Sequence, residues 1–348
     1  MACPKHMVYG PCGGVGFAGE CEVDAQVACP FVERDVVKWR GMVPASHHAP
    51  AQAAARLPDP VPPPQAQAMR DLMATRPVVV VDFPAAPLSE ASIRECASVL
   101  AGRADAVLAG DHGGSRVQFP PAYRARLIRE AGLNAWMGFN NRDRNRVALE
   151  AEVAALAHAG ATGVHCITGD HTFTGSRPDA AAVFDLDSTQ SAALARRWGH
   201  LVSVGESPRT PPVDRRPARL LQKQAAGAEV CLVNHAGGVE PVADFIDASR
   251  RIGVTLGFVP CLPIVLDERS ASLLRSFTTL VLPPGYVEQI LAAGDPREAG
   301  IAAAVELAQR FLALDGVVGV DLSGGPMPGE EVAYAEAVAE VCDRLALR

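Results

Sequence analysis

The chain has 348 residues, 49% of them hydrophobic, which is enough for one large domain or two ordinary ones with a sizeable core. Its 32 basic and 39 acidic residues give a net charge of -7 without a dense Lys/Arg block, which argues against a nucleic-acid surface. Apolar runs such as 78–81 and 317–320 are far shorter than the about 20 residues a bilayer demands, so no membrane segment is expected.

The amino terminus, MACPKHMVYG, has no apolar h-region and no small-residue cleavage site, so a cytoplasmic location is expected. Four of the nine cysteines fall in CPKHMVYGPCGGVGFAGECEVDAQVAC, from Cys3 to Cys29. Its glycines make an ordered backbone entropically costly, so something other than its own burial must hold it. Either a metal is ligated by Cys3, Cys12, Cys21 and Cys29, or the segment is a loose tail. In a reducing compartment clustered thiols point to metal or catalysis more often than to disulfides, and the odd total agrees. The spacing C-x8-C-x8-C-x7-C is not that of zinc knuckles or common ferredoxins, and an all-cysteine shell suits a [4Fe–4S] cluster or Zn2+ equally. Cys96, Cys166, Cys231, Cys261 and Cys342 are scattered in apolar segments and read as ordinary buried residues.

Residues 1–45 are thus expected to form a cysteine-rich metal-binding module, with FVERDVVKW as a short helical piece packing through Val36, Val37 and Trp39. Residues 46–68, rich in Ala and Pro, read as a semi-rigid linker, with a solvated His47–His48 pair at its start. From 69 to 348 apolar runs alternate with segments of helical period. Strands are expected at 77–83, 106–110, 135–140, 163–168, 201–205, 230–234, 254–259 and 316–322. Helices such as 89–100, 144–158, 188–198, 216–226, 239–251 and 296–314 lie between them. Eight such units predict an α/β fold, a TIM (β/α)8 barrel, with an open doubly wound sheet as the runner-up.

In a barrel the chemistry sits at the carboxyl ends of the strands. The first run, VVVVDF, ends on Asp82, whose partial desolvation would raise its pKa and let it donate a proton near neutrality. The second ends in AGDHGG, with Asp111 and His112, as a loop or a contact. Arg142 opens the charged run RDRN after the third, a solvated helix start or an anion contact. The fourth ends in TGDH, with Thr168, Gly169, Asp170 and His171, and Asn234 and His235 end the sixth; His235 reads as a structural histidine.

Taken in order, DFP, RDRN, TGDH, GES at 205–207, QKQAAGAEV at 222–230 and FVPCLPIV at 258–265 resemble the methylenetetrahydrofolate reductase family over most of 77–348. Separately, CPK, GPCGG and GECEV resemble the cysteine-rich module of such reductases' partner subunits or extensions. The resemblance implies an oxidoreductase interconverting 5,10-methylenetetrahydrofolate and 5-methyltetrahydrofolate with hydride from a bound FAD. By that resemblance Asp82 stands where the family has a general-acid glutamate, one methylene shorter. Asp170 matches an aspartate near pterin and flavin, Asn234 a folate-binding glutamine and Lys223 a flavin-phosphate lysine. Arg142 would help bind substrate, and Thr168, Gly169 and Glu206 would line the cofactor. Thr168, the Met137–Phe139 stretch, Arg216 and Arg219 depart from the family's flavin contacts, so flavin would bind differently, weakly or not at all. Two alternatives stay open: a tetrahydrofolate-dependent one-carbon transferase, and a non-catalytic folate-binding or electron-transfer subunit. The expected partners are a small-molecule folate, a redox partner protein and a second copy of the chain, with neither nucleic acid nor membrane.

Overall fold

The structure, a computed structural model, describes residues 2–43, 60–111, 114–277 and 279–347. His47, His48 and most of the expected linker lie outside the described residues, as does His112.

The amino-terminal segment carries one small hairpin, β1 (Glu20–Cys21) against β2 (Asp24–Ala28), and buries Met7, Val15, Cys29 and Phe31 in a cluster of its own. The helix expected in FVERDVVKW is not formed; residues 32–43 are irregular. Their backbone groups are engaged by side chains instead of by an i→i−4 ladder. Arg215 donates to the carbonyls of Val32 and Arg34, Gln222 to that of Val37, and the Tyr9 hydroxyl to that of Gly41. Trp39 packs on the Tyr9 ring at 5.0 Å.

The first long helix, α1 (Pro64–Thr75), begins inside the expected linker. Pro63 and Pro64 mark its start, because a proline at the first helical position loses no hydrogen bond and has φ preset. There follow β3 (Val78–Asp82), α2 (Glu90–Leu100), β4 (Ala106–Ala109), α3 (Pro121–Glu130), β5 (Ala135–Asn140), α4 (Arg146–Ala159), β6 (Gly163–Ile167), α5 (Ser188–Arg197), β7 (Val202–Glu206) and α6 (Arg216–Ala225). The chain finishes with β8 (Val230–Val233), α7 (Val239–Arg251), β9 (Gly257–Pro263), α8 (Glu268–Arg275), α9 (Tyr286–Leu291), α10 (Pro296–Leu312), β10 (Gly319–Ser323) and α11 (Glu331–Leu345).

Eight parallel strands close into a barrel in the order β10–β3–β4–β5–β6–β7–β8–β9, as the sequence predicts. Two strands start later than expected. Before β9, Val254 N–H closes α7 on Ser249, and Arg250 holds the carbonyls of Val254 and Leu256 at 2.8 and 2.9 Å, so pairing begins only at Gly257. Before β10, Val317 N–H turns back to Leu314.

Inward side chains of the lower layers, among them Val78, Val80, Leu108, Trp136, Leu232 and Val259, fill the barrel. Trp136 fits because Gly163 faces it: a Cβ there would stand 2.6 Å from the indole. Ala66 and Met69 of α1 join this cluster, and Arg70 binds Glu229 and the carbonyls of Gly199 and His200, just ahead of β8 and β7. The amino-terminal mouth is therefore plugged by α1. Open space lies toward the carboxyl ends.

Candidate functional site

That space is a cavity of about 350 Å³, of the size that holds small ligands. Strand ends supply its wall: Asp82 from β3, Thr168, Gly169 and Asp170 after β6, Glu206 from β7 and Asn234 after β8. The amino-terminal segment supplies its roof with Lys5, Pro11, Cys12, Gly13, Gly14 and Glu22.

The roof is held by the barrel, neither by a preset ligand cage nor as a tail. Asp187 Oδ2 accepts the backbone N–H groups of Val8 and Tyr9 at 3.1 and 2.7 Å, while its Oδ1 caps α5 through Thr189 and Gln190. Glu22 accepts His171 N–H at 3.0 Å and pairs with Lys5 at 2.5 Å, both side chains nearly enclosed. Arg216 donates to Cys12 O at 3.2 Å and Arg219 to Pro11 O at 3.4 Å. The two arginines that stand where flavin contacts would be expected thus clamp the roof.

The remaining expected residues divide by location. Burial pushes the Asp82 carboxyl up to about 6, against the lowering pull of Gly324 N–H at 3.2 Å and of the Ser323 hydroxyl. Asn234 donates to Ser207 Oγ at 3.3 Å and accepts from His235 N–H. Asp170 sits at the rim, its side chain 62% exposed and paired with Arg116 at 3.2 Å. Gly169 turns the chain there with φ +88°, a conformation that suits glycine. Thr168 lines the cavity but its Oγ1 accepts Ser188 N–H. Lys223 and Glu206 pair at 3.2 Å inside the wall, and Lys223 also donates to Gly205 O; burial brings its ammonium down to about 8. Arg142 is not brought to the cavity. Its guanidinium is taken by Asp111 at 2.5 Å and Asp143 at 2.7 Å.

Cavity groups that escape the sequence reading include three at the barrel's strands. Asp321 on β10, 1% exposed, accepts Cys261 Sγ at 3.5 Å, and its carboxyl is raised well above the ordinary value by burial and then by Asp82. His165 on β6 lies within 3.0 Å of Ser203 Oγ, and burial with Lys223 brings its imidazole down to about 4, so it is neutral. Cys261 is the third. The available signal was parity: Asp321 in GVDLS and His165 in GVHCI occupy inward positions of apolar strands.

All four amino-terminal cysteines are free thiols and line one small cavity of about 10 Å³ beside Met7, Val15 and Phe31. Burial raises Cys3 and pushes Cys29 up to about 11. Among the described residues no group of three or more His, Cys, Asp or Glu already stands as a metal-ligand set. Cys12, Gly14, Lys5 and Glu22 border both this cavity and the barrel cavity.

Residues 1–42 match the family model described as Methylene-tetrahydrofolate reductase C terminal. No curated protein matches the chain. Among solved structures, one similar fold is an uncharacterized protein from Clostridium thermocellum that binds two copies of 5-methyl-5,6,7,8-tetrahydrofolic acid. Its TM-score is 0.55 at 10% identity, over 79% of this chain and 98% of that one. A phosphonopyruvate hydrolase complex with oxalate and Mg aligns with TM-score 0.48 and 14% identity, over 81% and 86% of the two chains. A 2,3-dimethylmalate lyase aligns with 0.47 and 13%, over 80% and 85%. Identities this low speak for the barrel fold alone. Residues 1–42 are thus similar to the Methylene-tetrahydrofolate reductase C terminal family, and the described part of this segment roofs a TIM-type barrel.

Proposed function

We propose that the barrel cavity binds a reduced folate and that the protein is an enzyme of one-carbon chemistry on tetrahydrofolate. The observation that carries this reading is the joint construction of one cavity by the family-matching segment and the barrel, with Asp82 and Asn234 in its wall. The Clostridium thermocellum structure supports it, as a barrel of this type with 5-methyltetrahydrofolate bound.

The finer reading is interconversion of 5,10-methylene- and 5-methyltetrahydrofolate. Opening the five-membered ring of the methylene form requires a proton on the departing nitrogen, and Asp82, poised at about 6, has the acidity to give it near neutral pH. Asn234 offers an amide, acceptor and donor together, to a pterin edge, and Asp170 an anionic acceptor at the rim. A reduced cofactor would supply the hydride. The groups expected to hold FAD do not fit that role as they stand, because Lys223 and Glu206 satisfy each other and Thr168 caps a helix. The same engagements favour a second reading, one-carbon transfer without hydride.

The four thiols fit a metal in kind, being reduced and gathered on one cavity. An all-cysteine shell of this kind suits Zn2+ or a four-iron cluster. Bound there, an ion would neutralise thiolates and pin the roof.

Anaerobic purification, a visible spectrum, metal analysis and an assay of folate interconversion with added flavin or nicotinamide test these readings together. Interconversion supports the reductase. Folate binding without redox turnover, together with an activity lost in Asp82→Asn, favours the transferase, and absence of folate binding removes both.

A further inference from the structure

We propose that Asp82 and Asp321 act as one acid pair at the floor of the cavity, in which Asp321 keeps its proton and Asp82 is the member that exchanges its proton with the ligand. Asp321 is then a positioning residue, acting through Asp82. The inference rests on the folate reading only for where that proton goes.

The geometry begins with register. Strands β10 and β3 are adjacent and parallel, with Asp321 opposite Val80, so Asp82 lies two residues further along the same inward face. Both carboxyls line the cavity. Among the described residues no Lys, Arg or His pairs with either. Two carboxyls on one inward face with no cation beside them oppose each other's ionisation.

Hydrogen bonding decides which one holds the proton. Asp82 receives Gly324 N–H at 3.2 Å and the Ser323 hydroxyl, two donors that favour an anion. Asp321 receives only the Cys261 thiol, a weak donor, on Oδ2. Its Oδ1 is buried without a partner, as is the nearby Tyr334 hydroxyl. A proton on Asp321 Oδ1 turns that orphaned acceptor into a donor. Burial raises both carboxyls, Asp82 to about 6 and Asp321 well above the ordinary carboxyl value, with Asp82 adding to the rise of Asp321. The other polar groups facing the pair are Cys261 on β9, Tyr334 on α11, and His235 at 3.3 Å from Ser323 Oγ; His165, Lys223 and Glu206 stand in the cavity wall.

The proton balance is simple. Asp82 O–H breaks, the proton passes to the ligand nitrogen, and Asp82 is left as a carboxylate stabilised by Gly324, Ser323 and neutral Asp321. The reverse step restores it.

The pair makes stability depend on pH in one direction. A carboxyl whose folded pKa exceeds its unfolded value of about 3.9 binds more protons when folded, so stability is full below that value and falls as pH rises through the folded pKa. For Asp82 the window is about 4 to 6, and the raised Asp321 loses stability in the same direction.

The test uses the full chain, with infrared and carboxyl-carbon NMR spectra of protein labelled at aspartate, and thermal midpoints from pH 4.5 to 8.5. The expected result is a protonated aspartate at pH 7 that survives Asp82→Asn and vanishes in Asp321→Asn. A second aspartate titrates near 6 and is lost in Asp82→Asn. The wild-type midpoint should fall by about 3–6 °C relative to Asp321→Asn as pH rises across the range. If Asp321→Asn does not fold, the wild type and Asp82→Asn decide alone. Absence of a protonated aspartate at pH 7 overturns the proposal. A protein that shows these signals but binds no folate keeps the pair and loses the functional reading.

Discussion

At the end of β3 the chain sets a carboxyl directly behind four buried valines, and that position fixes the chemistry of Asp82. The side chain cannot shed its desolvation, so its proton leaves near 6, where exchange with a ligand nitrogen is balanced. Asp82→Asn keeps the shape and removes the exchange. Turnover of a methylene- or methyl-folate should drop by about 10²- to 10⁴-fold while folate affinity changes little, measured as kcat against Kd. Full turnover in this variant would remove Asp82 from the chemistry. Asp82 was legible because the barrel rule singles out a polar residue ending an apolar run. Asp321 and His165 were missed because each lies within its strand rather than at its end, so that only the alternation of side chains, and not the barrel rule, marks it as inward. Arg142 misled for the opposite reason. A charged run at the active face looks available, but Asp111, from a different strand end, already neutralises it.

Among the elements, the decisive contact joins the roof to the start of α5. One carboxylate, Asp187, caps the helix and holds Val8 and Tyr9. Asp187→Ala loses about 1–2 kcal/mol with the cap, and leaving the buried Tyr9 N–H unpaired costs about 1–3 kcal/mol more. Urea unfolding should show a lower midpoint, and hydrogen exchange should rise first in residues 2–43; protection as in the wild type would contradict this latch. Within the roof, Cys12 is the thiol shared by both cavities. Cys12→Ser should lower the metal content of purified protein and loosen the roof, whereas unchanged metal and stability would end the metal reading. The cysteine segment's importance could be seen in its composition, but its anchoring could not. Nothing local in Asp187, Arg216 or Arg219 announces a partner about 180 to 210 positions away. The same holds for residues 32–43, whose helical pattern is overridden by side chains of distant elements.

For the whole molecule the division of labour is clear. The plug of α1 closes one mouth, the cysteine segment roofs the other, and the cavity between them is where strand ends converge. Eight strands were readable because apolar β-branched runs recur at the spacing of β-then-α units, a pattern only a barrel or an open sheet can bury. The closure itself, with β10 pairing β3, is a long-range event that no single stretch encodes. The most direct measurement is an equilibrium titration of the full chain with 5-methyltetrahydrofolate, repeated on Asn234→Leu, a substitution of similar size that removes an amide from the cavity wall. Saturable binding to the wild type, weakened about tenfold or more in the variant, is the predicted result. No binding to the wild type, or equal binding to both, would contradict a folate site in this cavity.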